Sequence, residues 1–135
     1  MLKRVSILGS TGSIGVNSLE VISHLKNKLD VVYLTAHSNS DLLVQQALKF
    51  KPKAICISDE KKYNDVKKHL KNTSIKIYKG REGLLEIASR NDVNVMLNGL
   101  VGASGMEPTL KAIHAGVDVA LSNKESLVMA GEIIC

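Results

Sequence analysis

Two kinds of hydrophobic pattern alternate along the chain. Short continuous apolar runs are typical of strands buried on both faces. Between them lie longer segments in which apolar residues recur every three or four positions, as in helices with one buried stripe. The apolar runs predict strands at residues 5–8, 31–36, 54–57, 75–78, 93–97 and 117–121.

The intervening segments carry helix start and stop signals. One helix is predicted to begin at Ser13; a second has Ser40 as its N-cap and Asp41 in its first turn, and ends before Pro52. Further helices are predicted in the lysine-rich segment after the third strand, at 83–90, at 107–115 and from Ser122 onward. This unbroken alternation predicts a single α/β domain, a doubly wound, Rossmann-like parallel sheet in a three-layer αβα sandwich.

Composition narrows the class of protein. The 135 residues are 44% hydrophobic and 23% charged, with no apolar run long enough for a membrane span and no signal-peptide pattern. Cys56 and Cys135 form neither a disulfide framework nor a metal-binding spacing. We therefore expect a cytoplasmic protein with no membrane partner. The apolar end, Ile133, Ile134 and Cys135, has no cap, and we expect it to pack against chain that this sequence does not include.

The net charge of +5 arises from one segment. Between Lys61 and Arg81 there are eight basic residues and a single acid, Asp65. The lysines at its start accompany few apolar residues and no aromatic platform. We interpret them as the solvated outer face of a helix rather than as a nucleic-acid site.

A glycine-rich sequence, GSTGSIG at residues 9–15, directly follows the first predicted strand and opens the first helix. Glycine lets the backbone turn tightly and approach a ligand closely, while the N–H groups at a helix start attract an anion. The hydroxyls of Thr11 and Ser13 add donors for the same anion. The placement between strand and helix predicts a dinucleotide-binding loop.

The end of the second strand indicates which dinucleotide binds. An Asp or Glu at this point usually accepts hydrogen bonds from the ribose hydroxyls of NAD. Here the sequence is AHSNS at residues 36–40, and the first acid is Asp41. Neutral donors and a histidine tolerate a 2′-phosphate that a carboxylate would repel, which favours NADP over NAD.

Two later segments fall at the same predicted edge of the sheet. NGLVGASG at residues 98–105 is either a ligand loop or a flexible connection, and no single residue of it is assigned a role. In the other segment, Ser122 and Glu125 form a capping box. Lys124 lies in the first turn of that helix, where the dipole disfavours a cation, so it gains from an anionic ligand.

The segments ILGSTGSIG, NGLVGASG and SNKESLVMAG occur in this order across the chain. Together they closely resemble the N-terminal part of the 1-deoxy-D-xylulose 5-phosphate reductoisomerase family, and the resemblance covers the whole sequence. It implies an NADPH-dependent homodimeric enzyme of non-mevalonate isoprenoid biosynthesis. That enzyme rearranges 1-deoxy-D-xylulose 5-phosphate and reduces the product to 2-C-methyl-D-erythritol 4-phosphate.

The resemblance also implies roles for single residues. It carries NADPH contacts onto Thr11, Gly12, Ser13, Ile14, His37, Ser38, Asn39, Asn123 and Glu125, and a substrate contact onto Lys124. A divalent metal, Mg²⁺, Mn²⁺ or Co²⁺, polarises the substrate's oxygens in the family, and its acidic ligands lie in chain beyond residue 135. Residues 1–135 are therefore predicted to be the NADPH-binding domain, without the catalytic and C-terminal domains and without turnover of its own.

Three alternatives remain open at this stage. The first is the nucleotide domain of another NADP-dependent oxidoreductase, such as a semialdehyde or homoserine dehydrogenase, which uses the same kind of glycine-rich loop. A non-catalytic dinucleotide-sensing module would use the same fold. Nucleic-acid binding through the lysine-rich segment would depend strongly on salt concentration.

One departure from the family pattern generates a prediction. Family members often have glycine and a basic residue where this chain has His37 and Ser38, so a fixed positive charge beside the 2′-phosphate is missing there. If protonated His37 replaces it, the affinity for NADPH should fall as the pH rises. The dissociation constant measured against pH, with His37→Ala as the control, tests this; a flat profile would contradict it.

Overall fold

The computed structural model describes residues 2–25, 27–100 and 102–120. The strands of this part of the chain are β1 Lys3–Leu8, β2 Leu29–Ala36, β3 Ala54–Ile57, β4 Lys76–Lys79, β5 Val95–Asn98 and β6 Asp118–Ala120. Its α-helices are α1 Ser13–Ser23, α2 Ser40–Phe50, α3 Tyr63–His69, α4 Gly80–Ala88 and α5 Met106–His114. Short 3-10 turns form at Glu60–Lys62 and Gly102–Gly105. Within these ranges no helix is long and apolar enough to cross a membrane.

The strands form one sheet in the order β4-β3-β2-β1-β5-β6, and every neighbouring pair is parallel. From β1 the chain moves outward through β2 and β3 to β4, then returns to the other side of β1 with β5 and β6. The predicted doubly wound parallel sheet is confirmed. The order reverses between β1 and β5, and the crevice at the carboxyl ends of these strands is where such folds bind ligands.

Both faces of the sheet are buried, because successive strand residues point to opposite sides. In β3, Ile55 and Ile57 pack with α1, α2 and α3, whereas Ala54 and Cys56 pack with α4 and α5. This burial on two sides explains why the strands are continuous apolar runs. Complete burial of each Ile or Leu contributes about 1.5–3 kcal/mol, so these two clusters are the main source of stability.

The structure corrects two predicted helix starts. The N-cap of α2 is Asn39, whose Oδ1 accepts a hydrogen bond from the Leu42 N–H at 3.2 Å, and not Ser40, which is the first helical residue. Helix α4 begins at Gly80, directly after β4, and not at Gly83. Gly83 serves packing instead, since a Cβ there would lie 2.8 Å from the Cβ of Tyr78. The helix predicted from Ser122 lies outside the described residues.

The lysine-rich segment has the exposure that its pattern predicts. Val66 and Leu70 are buried against the core, and Tyr63 packs against it partly buried. The lysines at positions 61, 62, 67, 68 and 71 are all exposed. This surface is therefore the solvated outer face of α3 and of the turn before it.

A polar cluster links β2 with two connections, the one between α2 and β3 and the one between α4 and β5, away from the carboxyl edge of the sheet. Asp92 accepts hydrogen bonds from the Tyr33 hydroxyl at 2.7 Å, from the Arg90 guanidinium at 3.3 and 3.4 Å and from the Lys53 ammonium at 3.4 Å. Burial alone would raise the pKa of Asp92, but the hydrogen bonds from Arg90 and Tyr33 outweigh it and hold the pKa at about 2. The pKa of Tyr33 is raised, by burial first and then by its bond to Asp92.

We predict that Asp92→Asn destabilises the fold in a pH-dependent way. The lowered pKa means that Asp92 stabilises the folded state fully above about pH 4 and loses this contribution as the pH falls through about 2. Near neutral pH the variant should lose about 1–2 kcal/mol in urea unfolding. Asp30→Asn, which changes the one exposed residue of β2, is the matched control. An equal loss for Asp92→Asn at neutral and at strongly acidic pH would contradict the assignment.

Candidate functional site

The glycine-rich loop at residues 9–12 lies between the carboxyl end of β1 and the start of α1, at the point where the strand order reverses. Gly9 has a φ of +72°, a conformation that residues with a side chain rarely adopt. It lets the chain leave β1 and turn directly into the helix. The sequence prediction of a strand–loop–helix unit with α1 beginning at Ser13 is confirmed.

Three backbone segments meet at this loop with no room for side chains. A Cβ on Gly15 would lie 2.3 Å from the Gly9 carbonyl oxygen and 2.5 Å from the Cα of Ser10. A Cβ on Gly99 would lie 2.8 Å from the carbonyl oxygen of Leu8. The Gly99 N–H donates a hydrogen bond to that same oxygen at 2.8 Å. Gly15 and Gly99 are therefore required by packing, whether or not a ligand binds.

Gly12 is different, because no contact with the residues that the structure describes requires a glycine there. It is exposed, its φ of −76° and ψ of 173° suit any residue, and the nearest atom to an added Cβ, the Gly9 oxygen, is 3.7 Å away. Gly12 is the N-cap of α1, next to the exposed Ser13. The open space above Gly12 is where a ligand could approach the backbone closely.

The first turn of α1 is left without the usual partners. The first N–H groups of any helix lack intrahelical acceptors and need a capping side chain, water or a ligand. Among the described residues, no side chain caps α1, and its first turn contains no acid. Helix α2, by contrast, has the Asn39 side chain as its cap and Asp41 in its first turn. The amino end of α1 thus offers N–H groups and the positive end of the helix dipole to an anion.

Buried polar side chains hold the loop in place. The Ser10 hydroxyl donates to Oε1 of Gln46 at 2.7 Å, and Nε2 of Gln46 donates back to the Ser10 carbonyl oxygen at 2.9 Å. Thr35 accepts from the Gly9 N–H through Oγ1 and from the Ser10 N–H through its carbonyl oxygen. These anchors are not predictable from the sequence alone; the one available signal is a polar Gln46 within the apolar stripe of α2.

The residues after β2 lie beside the residues after β3. His37, Ser38 and Asn39 are all exposed. The carbonyl oxygen of His37 accepts a hydrogen bond from the Asp59 N–H at 2.8 Å, which fixes the backbone of this turn. Oδ1 of Asn39 caps α2 and so holds the other end of the turn. His37 and Ser38 are therefore exposed on a turn whose backbone is fixed at both ends.

A cleft of about 450 Å³ opens beside this turn, within the usual size range of small-molecule sites. It lies between the ends of β2 and β3, the first turns of α4 and the loop after β5. Its lining residues are Thr35, Ala36, His37, Ser58, Arg81, Leu84, Leu100 and Ser104. The predicted cofactor residue His37 therefore borders a real concavity.

The loop after β5 is held by one side chain. Nδ2 of Asn98 donates to the carbonyl oxygen of Gly105 at 2.9 Å and to Oγ1 of Thr109 at 2.8 Å. Its Oδ1 accepts from the Leu100 N–H at 3.0 Å. Asn98 thus links the start of this segment to the start of α5, and both interpretations of the segment, a ligand loop and a connection, remain open.

The site offers binding groups but, within the described residues, no metal centre. No group of three His, Cys, Asp or Glu side chains in this part of the chain is close enough to hold a metal ion. Burial raises the pKa of the Cys56 thiol to about 12, so it stays protonated and is no nucleophile. The predicted ligand residues Asn123, Lys124 and Glu125 lie outside the described residues.

Comparison with known proteins identifies a single family. The family model of 1-deoxy-D-xylulose 5-phosphate reductoisomerase matches residues 5–131. The enzyme of that name from Chloroherpeton thalassium is 48% identical over 133 residues, which is 98% of this chain and 34% of the relative. The one from Phocaeicola vulgatus is 45% identical over 134 residues, 99% of this chain and 35% of its own. The chain thus spans about a third of the length of these curated relatives.

Solved structures agree with the sequence relatives. The reductoisomerase from Zymomonas mobilis in complex with NADPH superposes with a TM-score of 0.85 at 36% identity, covering 99% of this chain and 35% of that one. A reductoisomerase complex with NADPH, fosmidomycin and magnesium gives 0.84 at 39% identity, covering 98% of this chain and 33% of that one.

The two glycines Gly15 and Gly12 should differ in their response to the same substitution. Gly15→Ala forces a Cβ onto backbone atoms of Gly9 and Ser10, so we expect a loss of about 2–3 kcal/mol in the free energy of unfolding. Gly12→Ala fits without a clash, and because alanine is a poorer N-cap than glycine it should cost no more than about 1 kcal/mol. Urea unfolding of both variants measures this. Equal destabilisation by the two would show that the packing account of the loop is wrong.

Proposed function

Because the chain belongs to the 1-deoxy-D-xylulose 5-phosphate reductoisomerase family, we propose that it is the NADPH-binding part of such an enzyme. The observation that carries the proposal is the uncapped first turn of α1 beneath the open space at Gly12. A pyrophosphate fits this position because its negative charge complements the helix dipole and its oxygens accept from the free N–H groups. The hydroxyls of Thr11 and Ser13 add donors, and Ile14 completes the first turn.

We propose that the adenosine end of NADPH lies toward the cleft after β2. Thr35 and Ala36 form its floor, and Leu84 and Leu100 provide apolar walls that suit a flat base. His37 and Ser38 lie beside the ribose in this arrangement. Asn39 caps α2 through its side-chain oxygen, and its contact with NADPH, through the side-chain amide N–H groups, remains a prediction. The contacts assigned to Asn123 and Glu125 remain predictions.

The reaction of the whole enzyme is a proposal for this chain, which spans about a third of its relatives. NADPH supplies the hydride that reduces the rearranged form of 1-deoxy-D-xylulose 5-phosphate to 2-C-methyl-D-erythritol 4-phosphate. The described residues orient the dinucleotide along the switch point. Lys124 is proposed to contact the substrate. Chain that this sequence does not cover is proposed to complete the active site.

The metal and the assembly belong to the same proposal. A divalent cation, Mg²⁺, Mn²⁺ or Co²⁺, would polarise the substrate's oxygens, but the described residues offer no ligand cluster for it. We propose that the full-length enzyme is a homodimer that works in the cytoplasm. Neither property bears on how this domain binds its dinucleotide.

Binding of NADPH to the 135-residue chain tests the proposal. The chain should bind NADPH, and Gly12→Ala should raise the dissociation constant about tenfold or more, equivalent to about 1.4 kcal/mol, because its Cβ occupies the approach to the backbone. Isothermal titration calorimetry measures both constants, and urea unfolding verifies that the variant is folded. Undetectable binding by the wild-type chain, or unchanged binding by Gly12→Ala, would refute the proposal.

The chain by itself should show no reductoisomerase turnover. Its described residues hold a dinucleotide site but no metal cluster, and a metal is expected for the rearrangement. The assay follows NADPH oxidation as a loss of the cofactor's absorbance at about 340 nm. It contains 1-deoxy-D-xylulose 5-phosphate and Mg²⁺. Measurable turnover by the purified 135-residue chain would contradict the assignment of catalysis to other parts of the enzyme.

A further inference from the structure

Arg81 is a basic residue at the cleft, and no motif in the sequence marks it as part of a site. It lies in the first turn of α4 and lines the cleft together with His37 and Ser58. The topology brings it there, because α4 follows β4 at the far edge of the sheet and then packs across β3. A cation in the first turn of a helix faces the positive end of the dipole, so this position gains from an anionic partner.

The guanidinium of Arg81 is held in place but remains reachable. Nη1 donates to the carbonyl oxygen of Ser104 at 3.1 Å, and Nη2 donates to Oε1 of Glu107 at 3.4 Å. The Arg81 side chain stays 45% exposed. These contacts use two of the five N–H donors of a guanidinium, whose planar fork suits a phosphate. Arg81 is therefore preorganised at the cleft.

Arg81 lies beside acidic residues. Two carboxylates lie nearby, that of Glu107 and that of Glu60, whose Oε2 is 3.2 Å from where a Cβ of Gly80 would be. Neither carboxylate lines the cleft, whereas the guanidinium does. Arg81 therefore supplies a positive charge at the cleft that no physiological pH removes.

We propose that Arg81 supplies the fixed positive charge for the 2′-phosphate of NADPH and so determines the preference for NADPH over NADH. The proposal rests on the proposed function and deepens it. The loop after β2 contributes no permanently charged side chain at His37 and Ser38, and Arg81 faces that loop across the same cleft. Arg81 thus acts as a specificity-determining residue from the opposite wall of the cleft.

Dissociation constants for NADPH and NADH, measured by calorimetry on the 135-residue chain, test this. Arg81→Ala should weaken NADPH binding about tenfold while changing NADH binding by less than about twofold, because only NADPH carries the 2′-phosphate. Arg81→Lys should lie between wild type and Arg81→Ala. Lys68→Ala removes an equal charge from the exposed face of α3 and should leave the NADPH-to-NADH preference unchanged.

Glu107→Gln separates this role from a merely structural one. If Arg81 served only to tie α4 to α5, Glu107→Gln would reduce binding of both dinucleotides just as Arg81→Ala would. Under the proposal it keeps or strengthens the preference for NADPH. If the wild-type chain binds NADPH and the Arg81 variants keep its full preference for NADPH over NADH, the assignment of Arg81 alone is overturned. Wild type that binds neither dinucleotide would overturn the proposed function as well.

Discussion

The close approach of Gly15 to the Gly9 carbonyl is the constraint on which the site depends. A Cβ on residue 15 would lie only 2.3 Å from that oxygen. Helix α1 can therefore follow β1 so closely only because position 15 has no side chain. Gly99 closes the same point from β5, where the strand order reverses. The helix start is thereby aimed into the crevice of the sheet. The uncapped N–H groups and the dipole that would hold an anion follow from this arrangement.

The loop is rigid for a second reason, which is its buried hydrogen bonding. Ser10 and Gln46 satisfy each other through two hydrogen bonds, and Thr35 accepts from the loop backbone. Buried polar groups that are fully paired specify one geometry, because any displacement leaves a donor or acceptor unsatisfied. The loop is therefore preorganised by β2 and α2. A dinucleotide would meet a formed site and would not have to order the loop on binding.

The sequence predicts most of the fold, since burial on both faces of a parallel sheet leaves unmistakable apolar runs. It fails where two residues offer the same local signal. Asn39 and Ser40 are both good caps, and only the position of α2 against the core decides for Asn39. Pairings across long separations, such as Ser10 with Gln46, leave no local pattern. Arg81 could not be predicted as a site residue for the same reason: the order of the strands, and no local motif, brings it to the cleft.

The central claim is that the first turn of α1 binds the pyrophosphate of NADPH. A chain of 14.6 kDa is well suited to amide-resolved NMR, so titration of ¹⁵N-labelled protein with NADPH tests the claim directly. The account predicts that the largest changes in chemical shift occur at the backbone amides of residues 11–14. Unchanged amides in the first turn of α1, with NADPH binding detected at amides elsewhere, would contradict it.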